Sequence, residues 1–341
     1  VKKQIRRSII AIAALLVVQA CSTDEEAVER DAETEHTEER VVEEQDEETA
    51  EGLTERELYL IDSDGYVVPR TFSLPHDEEV LRQALEYMID GGPITEMLPS
   101  GFQAVFPADT EVLGVNVTNE GTAVVDFSED FRDYDQNKEE AILQALTWTL
   151  TQYESIDRVE ILINGHEQDV MPHNETPITS LTRDRGINKE PNVNSVDVTA
   201  TLPSTLYFLN ENEHDLYYVP VTRRIDQSDN RVESVVNEVI HGPALQSELL
   251  TGLRHGVELV DEPTLNDGVL TVNFNEALLT ENEGTAIATE ALTMLTKTLT
   301  AIDGVDSVTY LVNGSDEINA RSGDALPTAV TEDHIKELVS Q

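Results

Sequence analysis

Gly121-Thr122-Ala123-Val124-Val125-Asp126-Phe127 reads as a half-buried strand entered from a glycine turn, and it returns as Gly268-Val269-Leu270-Thr271-Val272-Asn273-Phe274. Upstream of each copy stands a second pair of landmarks: Leu58-Tyr59-Leu60 answers to Leu206-Tyr207-Phe208, and Gly91-Gly92-Pro93 to His241-Gly242-Pro243. Downstream, Ile163-Asn164-Gly165 answers to Val312-Asn313-Gly314. The offsets are 148 at Leu58, 150 at Gly92, 147 at Asp126 and 149 at Gly165. One long spacing, met twice, is not a solenoid of short units. It describes two tandem globular domains, each of a size that can hold its own core.

Within the first copy, Leu58–Asp62 and Tyr66–Phe72 are expected strands, joined by the turn residues Asp62-Ser63-Asp64-Gly65, with Pro69 marking an edge. Apolar residues at helical spacing predict a helix over Glu78–Ile89, stopped by Gly91-Gly92-Pro93. Glu111–Val117 and Thr122–Phe127 form an expected hairpin across Asn119-Glu120-Gly121. Lys138–Tyr153 is the strongest helical stretch, and Arg158–Ile163 a closing strand. The second copy predicts a helix over Arg231–Ile240, strands at Val257–Val260 and Val269–Phe274, a long helix over Gly284–Ala301 and a strand at Ser307–Val312. A helix between a hairpin and the final strand is a crossover, so that strand should lie parallel to its neighbour. The expected fold class is α+β: two tandem two-layer sandwiches, each with helices on one face of a small mixed β-sheet.

The N-terminus reads as targeting. Lys2, Lys3, Arg6 and Arg7 precede the apolar run Ile9–Val18, too short to span a bilayer, and the run leads to Ala20-Cys21. Cys21 is the sole cysteine. The constellation resembles a bacterial lipoprotein signal, which makes Cys21 the expected lipid-attachment residue; an ordinary secretory signal with an incidental cysteine is the competing reading. Two acyl chains would hold the protein stably on a membrane. From Asp24 to Glu57 there are 17 acidic residues against three arginines and no aromatic residue, so 22–57 is expected to be a disordered acidic tether. The complete division is 1–21 signal, 22–57 tether, 58–182 first domain, 183–200 linker, 201–320 second domain and 321–341 a tail with a short helix at Thr331–Val339.

The formal charge is −46, of which residues 58–341 carry −36, and lysine occurs only six times. Nucleic acid is excluded as a partner, because phosphate contacts need Lys and Arg. Because both copies share the bias, adaptation to high salt is favoured over an acidic docking face for a cationic partner. Stability should then rise between low and molar NaCl.

Chemistry-bearing clusters are few. Asp62-Ser63-Asp64-Gly65 has the opening spacing of a calcium loop but lacks its later ligands and is read as a hairpin turn. Asp157, Glu160, His166 and Glu167 can be assembled into an acid–base or metal site on paper, yet the second copy replaces Gly165-His166 by Gly314-Ser315. Asp126, answered by Asn273, is read as a sheet-face or turn-capping residue, and Trp148 as core. No zinc-ligand spacing, nucleophile elbow or phosphate loop occurs. No catalytic residue, metal or cofactor is therefore expected.

Several of these stretches carry a resemblance: Glu57-Leu58-Tyr59-Leu60, the Gly-Gly-Pro turn, Gly101-Phe102-Gln103-Ala104-Val105-Phe106-Pro107, Gly121 to Ser128, and Thr147-Trp148-Thr149-Leu150-Thr151. Together with the signal, they resemble the GerM family of sporulation and germination lipoproteins, which carry two GerMN domains. The likeness covers about 58–320 and is looser in the second copy, where Gly-Phe-Gln-Ala finds no clear counterpart. It implies domains similar to the ring-building motifs of secretion systems. It further implies a non-enzymatic protein, lipid-anchored on the extracytoplasmic face of the cell membrane, that supports the ring complex of the channel between mother cell and forespore. Binding of peptidoglycan or another wall polymer is the alternative, and a wall hydrolase stands behind both. Homo-oligomerisation stays open.

Overall fold

The computed structural model describes residues 52–190, 201–226, 230–280 and 284–339. Cys21, read as the lipid-attachment residue, and the spans read as signal and tether up to Glu51 lie outside the described residues.

A long hairpin opens the first repeat. Strand β1 (Leu53–Asp62) pairs antiparallel with β2 (Val67–Pro75). Its turn is made by Asp62, whose Oδ1 accepts from the amides of Asp64 (3.0 Å) and Tyr66 (2.8 Å). The strand begins earlier than composition suggests, taking in 53–57 from the span read as tether. Leu53 to Glu57 find partners in Pro75 to Thr71, and Thr54 and Arg56 point inward. A ladder supplied by a partner strand orders residues whose own side chains would not.

Helix α1 (Val80–Glu86) is shorter than the expected span. Residues 88–90 leave the helix to pair with Phe106: the Phe106 amide donates to Met88 O and the Asp90 amide to Phe106 O, both at 3.0 Å. Gly92 follows, where a Cβ would lie 2.9 Å from Ile89 O. β3 (Phe102–Gln103) then adds to the far end of β1.

The second layer of the repeat is a mixed sheet, β4 (Val112–Val117), β5 (Thr122–Phe127), β6 (Arg158–Ile163) and β7 (His166–Glu167), in that spatial order. β4 and β5 form the expected hairpin. β5 and β6 are parallel, joined by helix α2 (Glu139–Leu150), as a crossover requires. The core-facing row Ala123, Val125, Phe127, Val159, Ile161 and Ile163 is buried against the helices, while Val124, Glu160 and Leu162 face the other way and stay partly or fully exposed.

The second repeat has the same order: hairpin β8 (Thr201–Glu211) and β9 (Leu216–Asp226), α3 (Arg231–His241), β10 (Thr264–Asn266), β11 (Val269–Phe274), β12 (Ala286–Ile287), α4 (Thr289–Thr300), β13 (Ser307–Val312), β14 (Asn319–Ala320) and α5 (Glu332–Val339). β11 and β13 are parallel around α4. Two expectations change. The strand read at Val257–Val260 shrinks to a bridge between Leu259 and Phe274 and resumes after Pro263 as β10, because proline cannot donate to a ladder. Helix α4 starts at Thr289 because Ala286 and Ile287 pair with Asn319 and Ala320 instead. The missing counterpart of Phe102-Gln103 appears as Leu249-Leu250: Leu250 bridges Leu209 as Gln103 bridges Ile61. The C-terminal segment is docked: Val330 bridges Val308, as Leu181 bridges Val159 in the first repeat, and Ile335 of α5 is buried.

One repeated device ties helix to hairpin. Tyr59 stands opposite Pro69 and Tyr207 opposite Pro220. In both cases the tyrosine amide points away from the ladder and donates to a helix threonine, Thr149 Oγ1 at 3.1 Å and Thr298 Oγ1 at 3.0 Å. The prolines sit where a ladder donor is not needed, and the threonines satisfy amides that would otherwise be buried unpaired. The buried apolar side chains of both repeats form one continuous cluster.

Candidate functional site

The residues singled out in the sequence scatter. Asp126 caps a turn: its Oδ1 accepts from the Gly165 amide at 2.9 Å, as Asn273 Oδ1 accepts from Gly314 at 3.0 Å. Asn164-Gly165 and Asn313-Gly314 both have positive φ, as a type I′ turn demands. Asp157 lies against Gly121, where its Oδ2 is 2.6 Å from the place a Cβ would occupy, so it belongs to the hairpin that enters β5. Glu160, His166 and Glu167 are exposed around β6 and β7, and the four do not converge. Among the described residues no group of three or more His, Cys, Asp or Glu is placed to hold a metal ion. Trp148 is buried, tilted against Tyr59 at 5.8 Å and covered by the Arg183 guanidinium at 4.4 Å from its ring centre.

What the fold does assemble lies where the tips of the two long hairpins meet. Asp62 is fully buried there; its Oδ2 accepts from Asn210 Nδ2 at 3.1 Å and from the Tyr217 hydroxyl at 3.0 Å. The same Asn210 amide reaches Asp64 Oδ2 at 2.9 Å. Asp62 and Asn210 are equivalent positions of the two repeats, so the joint is made by a residue and its own counterpart. Burial raises the Asp62 carboxyl above its ordinary range, opposed by hydrogen bonds from Tyr66, Tyr217 and Asn210. Burial, with the nearby carboxylates Asp62 and Asp64, likewise pushes the Tyr217 phenol up. Arg70 forms an ion pair with Asp215 across the joint and lies 4.9 Å from the centre of the Phe102 ring, which meets Tyr217 edge-on at 5.0 Å. Beside this knot opens a shallow cavity of about 460 Å³, lined by Asp64, Ser100, Gly101, Asn212, Glu248 and Leu250 among others.

A second element of the joint is the segment read as the start of a linker. Residues 186–190 are threaded between the repeats. Asn188 Nδ2 donates to Val67 O (2.7 Å) and Pro220 O (2.8 Å), and its Oδ1 accepts from the Val67 amide (2.8 Å). Glu190 pairs with Arg223 at 2.6 Å. Single residues in a polar stretch carry no periodicity, so sequence reading missed them. The one available signal was Arg223, a charge in a strand at the place where the first repeat has Phe72.

The whole is a pair of like sandwiches joined where their hairpin tips meet, and comparison with known proteins assigns it. A family model described as Germane, sporulation and spore germination, matches residues 57–169 and 205–317. The chain belongs to this family. It is 46% identical over 281 residues to the spore germination protein GerM of Bacillus subtilis (strain 168), covering 81% of this chain and 76% of that protein. It is also similar to the solved tandem GerMN domains of the sporulation protein GerM from Bacillus subtilis. That match has TM-score 0.75 and 45% identity, and covers 82% of this chain and 97% of the other. Neither relative bears the name of an enzyme. Each repeat is thus a GerMN sandwich, and the chain is a sporulation and germination protein whose GerMN pair accounts for most of the described residues.

Proposed function

We propose that this chain is a non-enzymatic, lipid-anchored scaffold on the extracytoplasmic face of the membrane, where its two GerMN sandwiches support assembly of the channel ring complex between mother cell and forespore. The observation that carries this reading is the likeness of the whole tandem unit to the GerM pair, sequence and fold together. The architecture supports it. In each sandwich the helices cover one sheet face, and the opposite row stays at least partly exposed, Val124, Glu160 and Leu162 in the first and Thr271, Thr309 and Leu311 in the second. Such faces suit docking between like subunits, which closes into a ring when the rotation permits. Cys21 carries the lipid in this reading. Among the described residues no helix is long and apolar enough to cross a membrane; in this reading the two acyl chains on Cys21 supply stable attachment.

The test is recovery from detergent-solubilised membranes of sporulating cells. Extracytoplasmic channel proteins should co-purify with the full-length chain and be lost with Cys21→Ala, which should also incorporate no labelled fatty acid. Retention on purified sacculi without channel proteins would favour wall-polymer binding, and release of muropeptides would replace the scaffold by a hydrolase.

A further inference from the structure

Arg223 projects from β9 into the interior of the second repeat, with 7% of its side chain exposed. Its Nη1 reaches Glu238 Oε2 of α3 at 2.8 Å; its Nη2 reaches Glu190 Oε2 at 2.6 Å and Gly242 O at 3.0 Å. The guanidinium lies 5.5 Å from the centre of the Phe208 ring. One cation therefore meets two carboxylates, both largely buried. Glu238 belongs to the same repeat and neutralises Arg223 by itself. Glu190 comes from outside that repeat and is the surplus charge.

The first repeat shows what the site needs for packing. By the hairpin register and the helix starts, Phe72 stands where Arg223 stands and Tyr87 where Glu238 stands; Phe72 is buried in the core and Tyr87 packs partly buried against it. An uncharged aromatic pair fills the same place in the same fold. Buried ion pairs seldom stabilise more than apolar side chains of similar volume, and their best-attested use is to set a unique arrangement.

The backbone around Glu190 indicates which arrangement. The Glu190 amide donates to Thr222 O (3.1 Å), the Thr222 amide to Ile187 O (2.8 Å), and the Ile187 amide to Thr222 Oγ1 (2.9 Å). Gly186 lets this run lie close to β9, since a Cβ there would come within 2.9 Å of Thr222. Two residues before Glu190, Asn188 grips Val67 at the start of β2 in the first repeat, and its amide donates to Gln144 Oε1 of α2 at 2.9 Å. The segment is therefore a strap with one hand on each repeat, and Glu190 is its charged end.

We propose that the Glu190–Arg223–Glu238 triad is an orientation lock: it seats the strap and fixes the angle between the two repeats, and adds little to the stability of the second repeat itself. A carboxylate in this position has two low-energy choices, on Arg223 or in water, because a buried unpaired charge is costly. The joint is accordingly two-state, seated or released.

The full chain in detergent, in a Cys21→Ser background, can be spin-labelled at Asn116→Cys in the first repeat and Thr264→Cys in the second. The inter-label distance distribution is then read alongside hydrogen exchange. Glu190→Gln should broaden the distribution and lose protection at the amides of Ile187, Glu190 and Thr222, while the amides of β11 and β13 keep theirs. The pair Arg223→Phe with Glu238→Tyr, which copies the first repeat, should do the same. An unchanged distribution with Glu190→Gln overturns the lock. Broadening accompanied by loss of protection in β11 and β13 also overturns it, since the triad would then be holding the second repeat together. Should the double variant fail to fold, Glu190→Gln decides alone.

Discussion

The two repeats share a backbone plan and fill it with different chemistry. Where the first packs Phe72 and Tyr87, the second places Arg223 and Glu238. Where the first closes its hairpin on the carboxylate Asp62, the second has the amide Asn210. The first also carries an aromatic chain that the second lacks: Phe127 and Phe131 stack at 4.3 Å, Phe106 lies 5.3 Å from Phe127, and Tyr134 meets His173 edge-on at 4.7 Å. The second has Phe274 and Leu278 in the corresponding stretch. What survived duplication in both is backbone chemistry: the tyrosine amide on a helix threonine, the Asp or Asn turn cap, and the glycine that lets the loop cross over Asp157 or Asp306. The difference teaches that the fold constrains unsatisfied amides and positive φ more tightly than it constrains which side chains fill a buried place.

The strongest way to break that comparison is in the aromatic chain. Phe127→Ala removes the centre of the stack and should cost about 3–5 kcal/mol. The loss should appear in urea unfolding and fall on the first repeat, with hydrogen exchange in β11 and β13 less affected. Equal loss of protection in both repeats would mean that the continuous core makes them one cooperative unit.

The threonine device should behave alike in both repeats. Thr149→Val and Thr298→Val each strip the acceptor from a strand amide while keeping the shape, at a cost of roughly 1–3 kcal/mol. Two similar shifts in denaturation midpoint are expected. A large cost in one and none in the other would show that the shared geometry is not shared energetics.

The smallest effect concerns acid. Burial would raise Glu140, but Arg185 at 2.8 Å and Lys189 at 2.7 Å overcome it and hold the carboxyl down to about 2. The stability tied to it is present above its unfolded value of about 4.3 and is lost as pH falls through about 2. Glu140 is partly exposed, so solvent screens the pair and the contribution is small. Glu140→Gln should flatten the acid limb of a stability profile in the first repeat. Asp62 has the opposite sign: its carboxyl is raised by burial, so its contribution is present at low pH and is lost as pH rises through the folded value. Asp62→Ala should remove that second dependence, read as denaturation midpoint against pH.

Much of each sandwich was legible in the chain. Alternation in Thr122–Phe127, helical spacing in Glu139–Leu150 and the Asn-Gly turns are local signals, and local signals survive in a string of residues. Helix lengths were less legible, because α1 and α4 lose their ends to strand pairs with Phe106 and with Asn319-Ala320, and pairing is long-range. The start of β1 was hidden for the same reason, since acidic Glu55 and Glu57 are ordered by Ser73 and Thr71 opposite them. Asp62 was read as a turn residue, and it is one. That it also grips Asn210 was invisible, because a hairpin tip gives no sign of which other tip it meets.

Read alone, the residues determined the duplication, from one long offset met at four landmarks, and the α+β plan of each copy, the parallel crossover strand and the turn chemistry, which follow from spacing and backbone preference within a few tens of residues. Tertiary structure alone decided that 186–190 bonds to both repeats, that Arg223 meets two carboxylates, and that counterpart residues face each other at the joint. Those are relations between separate elements, from 15 residues apart for Arg223 and Glu238 to 148 for Asp62 and Asn210. No local propensity encodes them, because each partner is compatible with water until the other arrives.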